Sequence, residues 1–262
     1  MNRVAHYTVR EITQILQKNP SRVIIEECLQ DSRLGVRRMA ERHYMHLEAQ
    51  GLERERLEKL LEKERELWQQ GFLLIAGLDE AGRGPLAGPV VAAACVLPAQ
   101  FELSGLNDSK MLRPSEREAL YARIQEQALD YAVASASVEE IDALNILQAT
   151  KLAMVRSVRA LKQVPQFLLI DALELSVDIP QLGIVGGDRL SASIAAASIL
   201  AKVSRDRFML EMHEKYPEYD FARHKGYPTP DHLQVLQRLG PCPIHRRSFA
   251  PVEHAFQRLA ES

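Results

Sequence analysis

The apolar positions change period near residue 70, and that change predicts two differently built segments. Before it, apolar residues are scattered among Glu, Lys and Arg at helical spacing. Residues 8–16 and 21–29 predict short helices. Residues 37–70 predict a longer one, with Leu52, Leu57, Leu60, Leu61, Leu67 and Trp68 at helical spacing. After residue 70, short apolar runs closed by Gly and Pro alternate with helical patterns. Residues 72–78, 90–97, 131–138, 166–170 and 184–185 predict strands. Ser115 with Glu118, and Ser137 with Glu140, have capping-box spacing. They predict helices running to about residues 129 and 162. Residues 193–215 predict a helix that is small and apolar at its start and charged later. Another is predicted over Pro230–Leu239, with Pro at its first position. Strands mixed with helices in this order predict an α/β domain over 71–262 with one central sheet, preceded by a helical extension over 1–70.

The strand pattern leaves one anomaly. Asp79 and Glu80 follow the apolar run 72–78 directly, and Asp171 follows the run 166–170 in the same way. Asp188 comes after Gly186-Gly187 and shortly before the 193–215 helix, where the helix dipole favours an anion. Burying a carboxylate costs several kcal/mol unless cations or strong donors meet it. A surface hairpin with an acidic turn is the plain alternative for Asp79 and Glu80. The apolar flanks predict depth instead, and four acids side by side would imply bound cations. Oxygen donors without a Cys or His cluster point to Mg²⁺ or Mn²⁺. Asp178 and Asp206 are weaker candidates; Asp206, between Arg205 and Arg207, reads as a local ion pair.

The loop after Glu80 narrows the partner. Gly82-Arg83-Gly84 sets a cation between residues without Cβ atoms, where a polymer backbone can approach closely. The loop is not a dinucleotide fingerprint, because its spacing is not G-x-G-x-x-G and Pro85 removes a donor. A net charge of −2 is compatible with a nucleic-acid partner, since a local basic groove is what matters. Cys28, Cys95 and Cys242 lack C-x-x-C spacing and argue for a reducing compartment without a zinc site. No apolar run approaches the ~20 residues that span a bilayer. The expectation is a cytoplasmic protein with no membrane partner. In the extension, Arg33, Arg37 and Arg38 read as a solvated face rather than a nucleic-acid patch.

The run Gly77-Leu-Asp-Glu-Ala-Gly-Arg-Gly-Pro-Leu-Ala-Gly-Pro-Val-Val91 resembles the signature of the ribonuclease HII family, the type 2 ribonucleases H. Asn107-Asp-Ser-Lys110, Gly187-Asp188, the block from Ala196 to Asp206 and His224-Lys-Gly-Tyr227 match its other blocks in order. The resemblance covers roughly residues 71–250. At the third acid, Asp171-Ala-Leu stands where Asp-Gly is common in the family.

The resemblance implies an RNase H-like fold and a site of four carboxylates, Asp79, Glu80, Asp171 and Asp188, acting with two divalent ions, Mg²⁺ or Mn²⁺. The implied activity is endonucleolytic hydrolysis of the RNA strand of RNA–DNA hybrids and incision 5′ of ribonucleotides embedded in duplex DNA. The products would carry 5′-phosphate and 3′-hydroxyl ends. Gly82, Arg83 and Gly84 are implied to contact the ribonucleotide at the junction, and Tyr227 to stack on the next sugar. Lys110, Lys202, Arg205 and Lys225 are basic residues of the matching blocks that could grip phosphates. Ser109, Ser193 and Ser198 are further phosphate donors to consider, while His224 and His232 read as structural or backbone-contact residues. A monomer is expected. Two other readings stay open: a different nuclease of the same fold, such as an exonuclease, and a catalytically silent hybrid-binding protein.

Overall fold

The structure, a computed structural model, describes residues 3–18 and 20–261. The chain forms two compact units, Met1–Glu58 and Lys59–Ser262, so the division falls earlier than the change of apolar period predicts. The first unit is helical. Helix α1 (Val9–Gln17) opens with Thr8 and Glu11 capping each other, and α2 (Arg22–Leu29) follows. Ile12, Leu16, Ile25, Cys28, Val36 and Ala40 share one small core. Arg33 is not a free surface cation: its Nε lies 2.8 Å from Asp31 Oδ1, and its Nη1 donates to the Tyr7 carbonyl. Asp31 is held down at about 2 by the Arg33 side chain and backbone N–H.

The long helix predicted over 37–70 is two helices, α3 (Leu34–Leu60) and α4 (Glu62–Gln69). No Gly or Pro marks the break. Leu60 and Leu61, which flank the break, are both buried.

In the second unit a five-stranded sheet has the order β3-β2-β1-β4-β5. Its strands are β1 (Ile75–Ala81), β2 (Val90–Val96), β3 (Asp130–Ala136), β4 (Phe167–Asp171) and β5 (Gln181–Ile184). The sheet is mixed: β1 pairs antiparallel with β2 and parallel with β4. β2 is buried on both faces, which explains a continuous apolar run where a half-exposed strand would alternate. One face packs on α7 (Ile146–Arg159) through Ala149, Ala153 and Met154. The other face meets α8 (Ala192–Lys215), whose first ten residues are all buried.

Ser137 and Glu140 cap each other as expected, but the helix they open is shorter, and the helix near Ser115 is capped by a different pair. The helix predicted over 137–162 is α6 (Val138–Leu144) followed by α7, broken at Asn145, which has φ 72° and accepts from the Leu147 and Gln148 N–H groups. Helix α5 (Pro114–Gln127) starts one position before Ser115. Glu116, rather than Glu118, accepts from the Arg113 N–H at 2.8 Å, because Pro114 takes the first helical position. The C-terminal part adds α9 (Phe221–His224), α10 (Pro230–Leu239) and α11 (Ala250–Glu261).

Helix α8 is held at its start by two elements, β1 and α4. A Cβ built on Gly77 of β1 would lie 2.0 Å from the Ser193 carbonyl carbon, so strand and helix backbones touch there. Glu64 of α4, only 1% exposed, accepts from Ser191 Oγ at 2.6 Å, from Ser193 Oγ at 2.6 Å and from the Ser193 N–H at 2.9 Å. A carboxylate at a helix N-terminus is favoured by the dipole as well as by these donors. Ser193 is therefore a packing residue and is turned away from solvent.

Candidate active site

Strand β1 extends to Ala81, so Asp79 and Glu80 lie inside the ladder rather than beyond it. The register pairs Leu78 with Ile170, which brings Asp79 of β1 alongside Asp171 of β4. The two project from the α8 face, because alternate positions Ile75 and Leu169 pack there with Ile194. Glu80, the next ladder residue, shares the electrostatic surroundings of Asp79, Asp171 and Lys110. Asp188 follows β5 and is buried within a short 3₁₀ turn just before α8.

These acids are costly to ionise. Burial, then the neighbouring Glu80, pushes Asp79 well above the carboxylate range, although Ser198 donates to it. The Glu80 N–H, 2.7 Å from Asp79 Oδ1, is a second counterweight. Burial also raises Glu80, with Asp171 adding to it and Arg83 opposing. Asp188 is raised to about 6 by burial and by the charge and hydrogen bond of Asp108. Asp171 Oδ1 accepts from the Gly187 N–H at 2.8 Å, which joins the end of β4 to the glycine turn before Asp188. Lys110 faces this group. Burial opposes its charge, but Asp108, Asp188, Asp79 and Asp171 outweigh burial and keep the ammonium stable.

Among the described residues, no three His, Cys, Asp or Glu side chains converge as a ready-made metal cage. The donor set nevertheless suits a hard cation. Glu80 Oε2 is buried without a partner, an orphaned oxygen beside like charges that only a cation or water would satisfy. Mg²⁺ keeps several waters and needs few protein oxygens, so an open set of carboxylates fits it better than a closed cage.

The basic residues divide. Arg205 is fully buried rather than exposed to phosphates: its guanidinium donates to the carbonyls of Pro89 (3.1 Å), Lys225 (3.1 Å) and Ala87 (3.0 Å). Burial lowers it to about 10, which still leaves it charged at neutral pH. Lys225 has φ 51° and turns its Nζ to the Ala222 carbonyl. Lys202 Nζ lies 2.8 Å from Asp206 Oδ1 and 5.9 Å from the Tyr227 ring centre. Asp206 is thus an ion-pair residue, but its partners are Lys202 and Arg117, not the flanking arginines, which point elsewhere on the helix. Lys202, Lys225, Arg117 and Arg223 line a cavity of about 400 Å³ beside Tyr227. Tyr227 itself is 41% exposed, and a Cβ built on Gly84 would lie 3.8 Å from its Cε1. His224 and His232 are structural, as expected: they bond the Tyr219 and Tyr227 carbonyls at 2.7 and 2.9 Å. Ser109 and Ser198 bond each other at 2.9 Å beneath Asp79.

Two residues that the sequence pattern does not mark belong to this region. Asp108 shares a hydrogen bond with Asp188 and raises its carboxyl, and in sequence its signal is its place in the 107–110 block. Arg246, fully buried, donates to the carbonyls of Gly82, Arg83 and Gly88. Beside Arg247 it looks like one of two surface charges.

The acids of β1 and β4 lie on neighbouring strands, and the loop that carries Arg83 between two glycines comes close to Tyr227 at Gly84. The family model described as ribonuclease HII matches residues 76–252, and that of the ribonuclease HII N-terminal domain matches residues 8–68. The chain belongs to the ribonuclease HII family. It is therefore a hydrolytic endonuclease of the type 2 ribonuclease H class, acting on RNA in RNA–DNA hybrids. The ribonuclease HII of Desulfitobacterium hafniense strain Y51 is 59% identical over 97% of this chain and 98% of its own. That of Geobacillus thermodenitrificans is 49% identical over 95% of this chain and 97% of its own. Among solved structures, the ribonuclease H2 of Pyrococcus horikoshii superposes with a TM-score of 0.61 at 28% identity, covering 72% of this chain and all of that one. The RNase HIII of Bst, solved with Mn²⁺, shares the fold at 18% identity and a TM-score of 0.53. Membership excludes the catalytically silent reading and identifies the helical extension as a family domain. Among the described residues no helix is long and apolar enough to cross a membrane.

Proposed function

We propose that this enzyme incises duplex DNA on the 5′ side of an embedded ribonucleotide, as well as hydrolysing RNA in hybrids, as a cytoplasmic monomer. The observation that carries this is the meeting of Gly84 with the exposed Tyr227 ring, directly after Asp79 and Glu80. A reader of the sugar thereby adjoins the hydrolytic acids. RNA differs locally from DNA only in the 2′-hydroxyl. Backbone groups of Arg83 and Gly84 can reach it because Gly84 lacks a Cβ, while the flat Tyr227 ring packs against the following sugar only where no hydroxyl intervenes. Lys202 and the rim of the adjacent cavity would hold the phosphates.

Asp79, Glu80, Asp171 and Asp188 are the residues that would hold divalent cations. Bound there, Mg²⁺ or Mn²⁺ would supply an activated water and neutralise charge on the phosphate and the departing 3′ oxygen. The chain's own part is to keep these carboxylates together against their repulsion, with Ser198, the Glu80 N–H and the Gly187 N–H as donors. Lys110 offsets some of the negative field.

A labelled duplex with a single ribonucleotide tests the junction reading. Wild type is expected to cut on its 5′ side. Tyr227→Ala is expected to lose at least about fivefold in kcat/KM, given that aromatic stacking is worth about 1–3 kcal/mol. Cleavage confined to long hybrids would overturn the reading.

The raised carboxyls give a second test. A carboxyl raised on folding costs stability as pH climbs from its ordinary value through its folded value, because the unfolded chain releases the proton first. For Asp188 that window runs from 3.8 to about 6. A cation that binds the ionised acids offsets the cost only where they are ionised. Millimolar Mg²⁺ should therefore raise Tm more at pH 7.5 than at pH 5, and less in Asp188→Asn. Equal shifts at the two pH values would contradict a cation site built on these acids.

A further inference from the structure

We propose that Arg246 is a positioning residue that sets the enzyme's preference for a ribonucleotide, an inference that rests on the junction reading above. Its guanidinium is buried among backbone carbonyls. Nη2 donates to Gly82 O at 2.5 Å, Nη1 to Arg83 O at 3.0 Å and Nε to Gly88 O at 2.9 Å. Among the described residues no carboxylate forms an ion pair with it, and the field of Asp142 returns only part of the cost of desolvation. Burial and the neighbouring Arg205 pull Arg246 down to about 9, so the site is one where charge is hard to keep. Three carbonyls in fork geometry are what hold it there, and two of them belong to the loop between the acids and Tyr227.

What those bonds do follows from peptide geometry. In a planar trans peptide the C=O and the N–H point in opposite directions, and this chain has no cis bond among its described residues. Drawing the Gly82 and Arg83 carbonyls inward therefore turns the N–H groups of Arg83 and Gly84 outward. Neither N–H has a hydrogen-bond partner among the described residues. Two successive N–H donors facing the same way make a ready concavity for an oxygen. Here it opens beside the Tyr227 ring, where a sugar would lie.

Arg246 is itself fixed by the main chain. Its N–H donates to Leu86 O at 2.9 Å, and the Gly88 N–H donates to Ile244 O at 2.8 Å, so segments 244–246 and 86–88 run as a ribbon. Arg205 grips the other side of the loop. A Cβ on Gly82 would lie 2.1 Å from Arg205 Nε, and Arg205 reaches the Lys225 carbonyl two residues before Tyr227. The loop that reads the sugar is thus clamped between two guanidinium groups, and Arg246 is the one bonded to the peptides whose N–H groups face the substrate. A lysine at 246 would keep the charge but lose the fork.

The test compares two constants in one assay: KM for a duplex carrying a single ribonucleotide, and Ki of the same duplex made entirely of DNA as a competitor. Arg246→Gln is expected to lower the ratio Ki/KM at least about tenfold, through a higher KM, with kcat changing less. A merely structural residue would lower Tm and the amount of active enzyme while leaving that ratio alone. If Arg246→Gln does not fold, as judged by circular dichroism, Arg246→Lys takes the same measurement with the same expectation. A ratio within about twofold of wild type in either folded variant overturns the proposal. A wild-type ratio near one would instead overturn the junction reading, and this proposal with it.

Discussion

Asp79→Asn is expected to abolish hydrolysis, by at least about 10³-fold in kcat, while leaving the fold as stable as wild type or more so. The activity estimate comes from charge stabilisation worth several kcal/mol, at 1.4 kcal/mol per tenfold. Asp79 is 5% exposed and its carboxyl is raised by burial and by Glu80. At neutral pH its ionised form is therefore a burden on the folded state. An amide of the same shape removes that burden and keeps an oxygen for the Glu80 N–H. Rates on an RNA–DNA hybrid and thermal melts of the same preparation check both halves together. Activity within about tenfold of wild type would remove Asp79 from the reacting centre. A large fall in Tm would mean that the carboxylate is structural.

Gly77→Ala is expected to have the largest effect on stability, on the order of 3–5 kcal/mol of destabilisation. The added methyl would lie 2.0 Å from the Ser193 carbonyl carbon and 2.3 Å from the Ile194 nitrogen, both backbone atoms. Flexible side chains could move aside, but a sheet and the first turn of a buried helix cannot. Glu64 bonds Ser191 and Ser193 in that turn, so moving α8 away from β1 would also strain these hydrogen bonds. Because Asp79 is two residues along β1 and Asp188 lies just before α8, a folded remnant should also lose activity. Denaturant titration of the variant reads the first effect, and a midpoint within error of wild type would refute the backbone contact. Alanine at Gly51, where nothing lies within 4 Å of the new atom, is the matched control.

How far the site was legible varies residue by residue, for physical reasons. Asp79, Glu80 and Asp171 stood out because they directly follow runs that read as buried strands, where a charge is anomalous without knowledge of the fold, and Asp188 because it sits between a glycine pair and a helix start. The extent of β1 could not be resolved in the same way: reading the strand as ending at Leu78 hid that Asp79 and Glu80 are ladder residues opposite Ala93 and Ala92. Arg205 shows the opposite failure. In sequence it is one more cation in a charged half-helix, and only packing reveals that it turns inward to three carbonyls. The division at residue 58 rather than 70 has a similar origin, since Leu67 and Trp68 are apolar at helical spacing whichever core receives them.

The sequence by itself determined what depends on neighbours along the chain. It determined the alternation of short apolar strands and helices, the family blocks, the oxygen-rich acid set and the glycines on either side of Arg83. These are short-range patterns, written in periods of two and 3.6 residues and in turn chemistry. Tertiary structure alone decided the rest: that Asp79 stands beside Asp171, that Asp108 raises Asp188, and that Arg246 clamps a loop more than 150 residues before it. Hydrogen bonds to main-chain carbonyls carry no sequence signature, because every residue has such a carbonyl. Which carbonyl a buried guanidinium finds is set by the packing of strand, helix and ribbon around it.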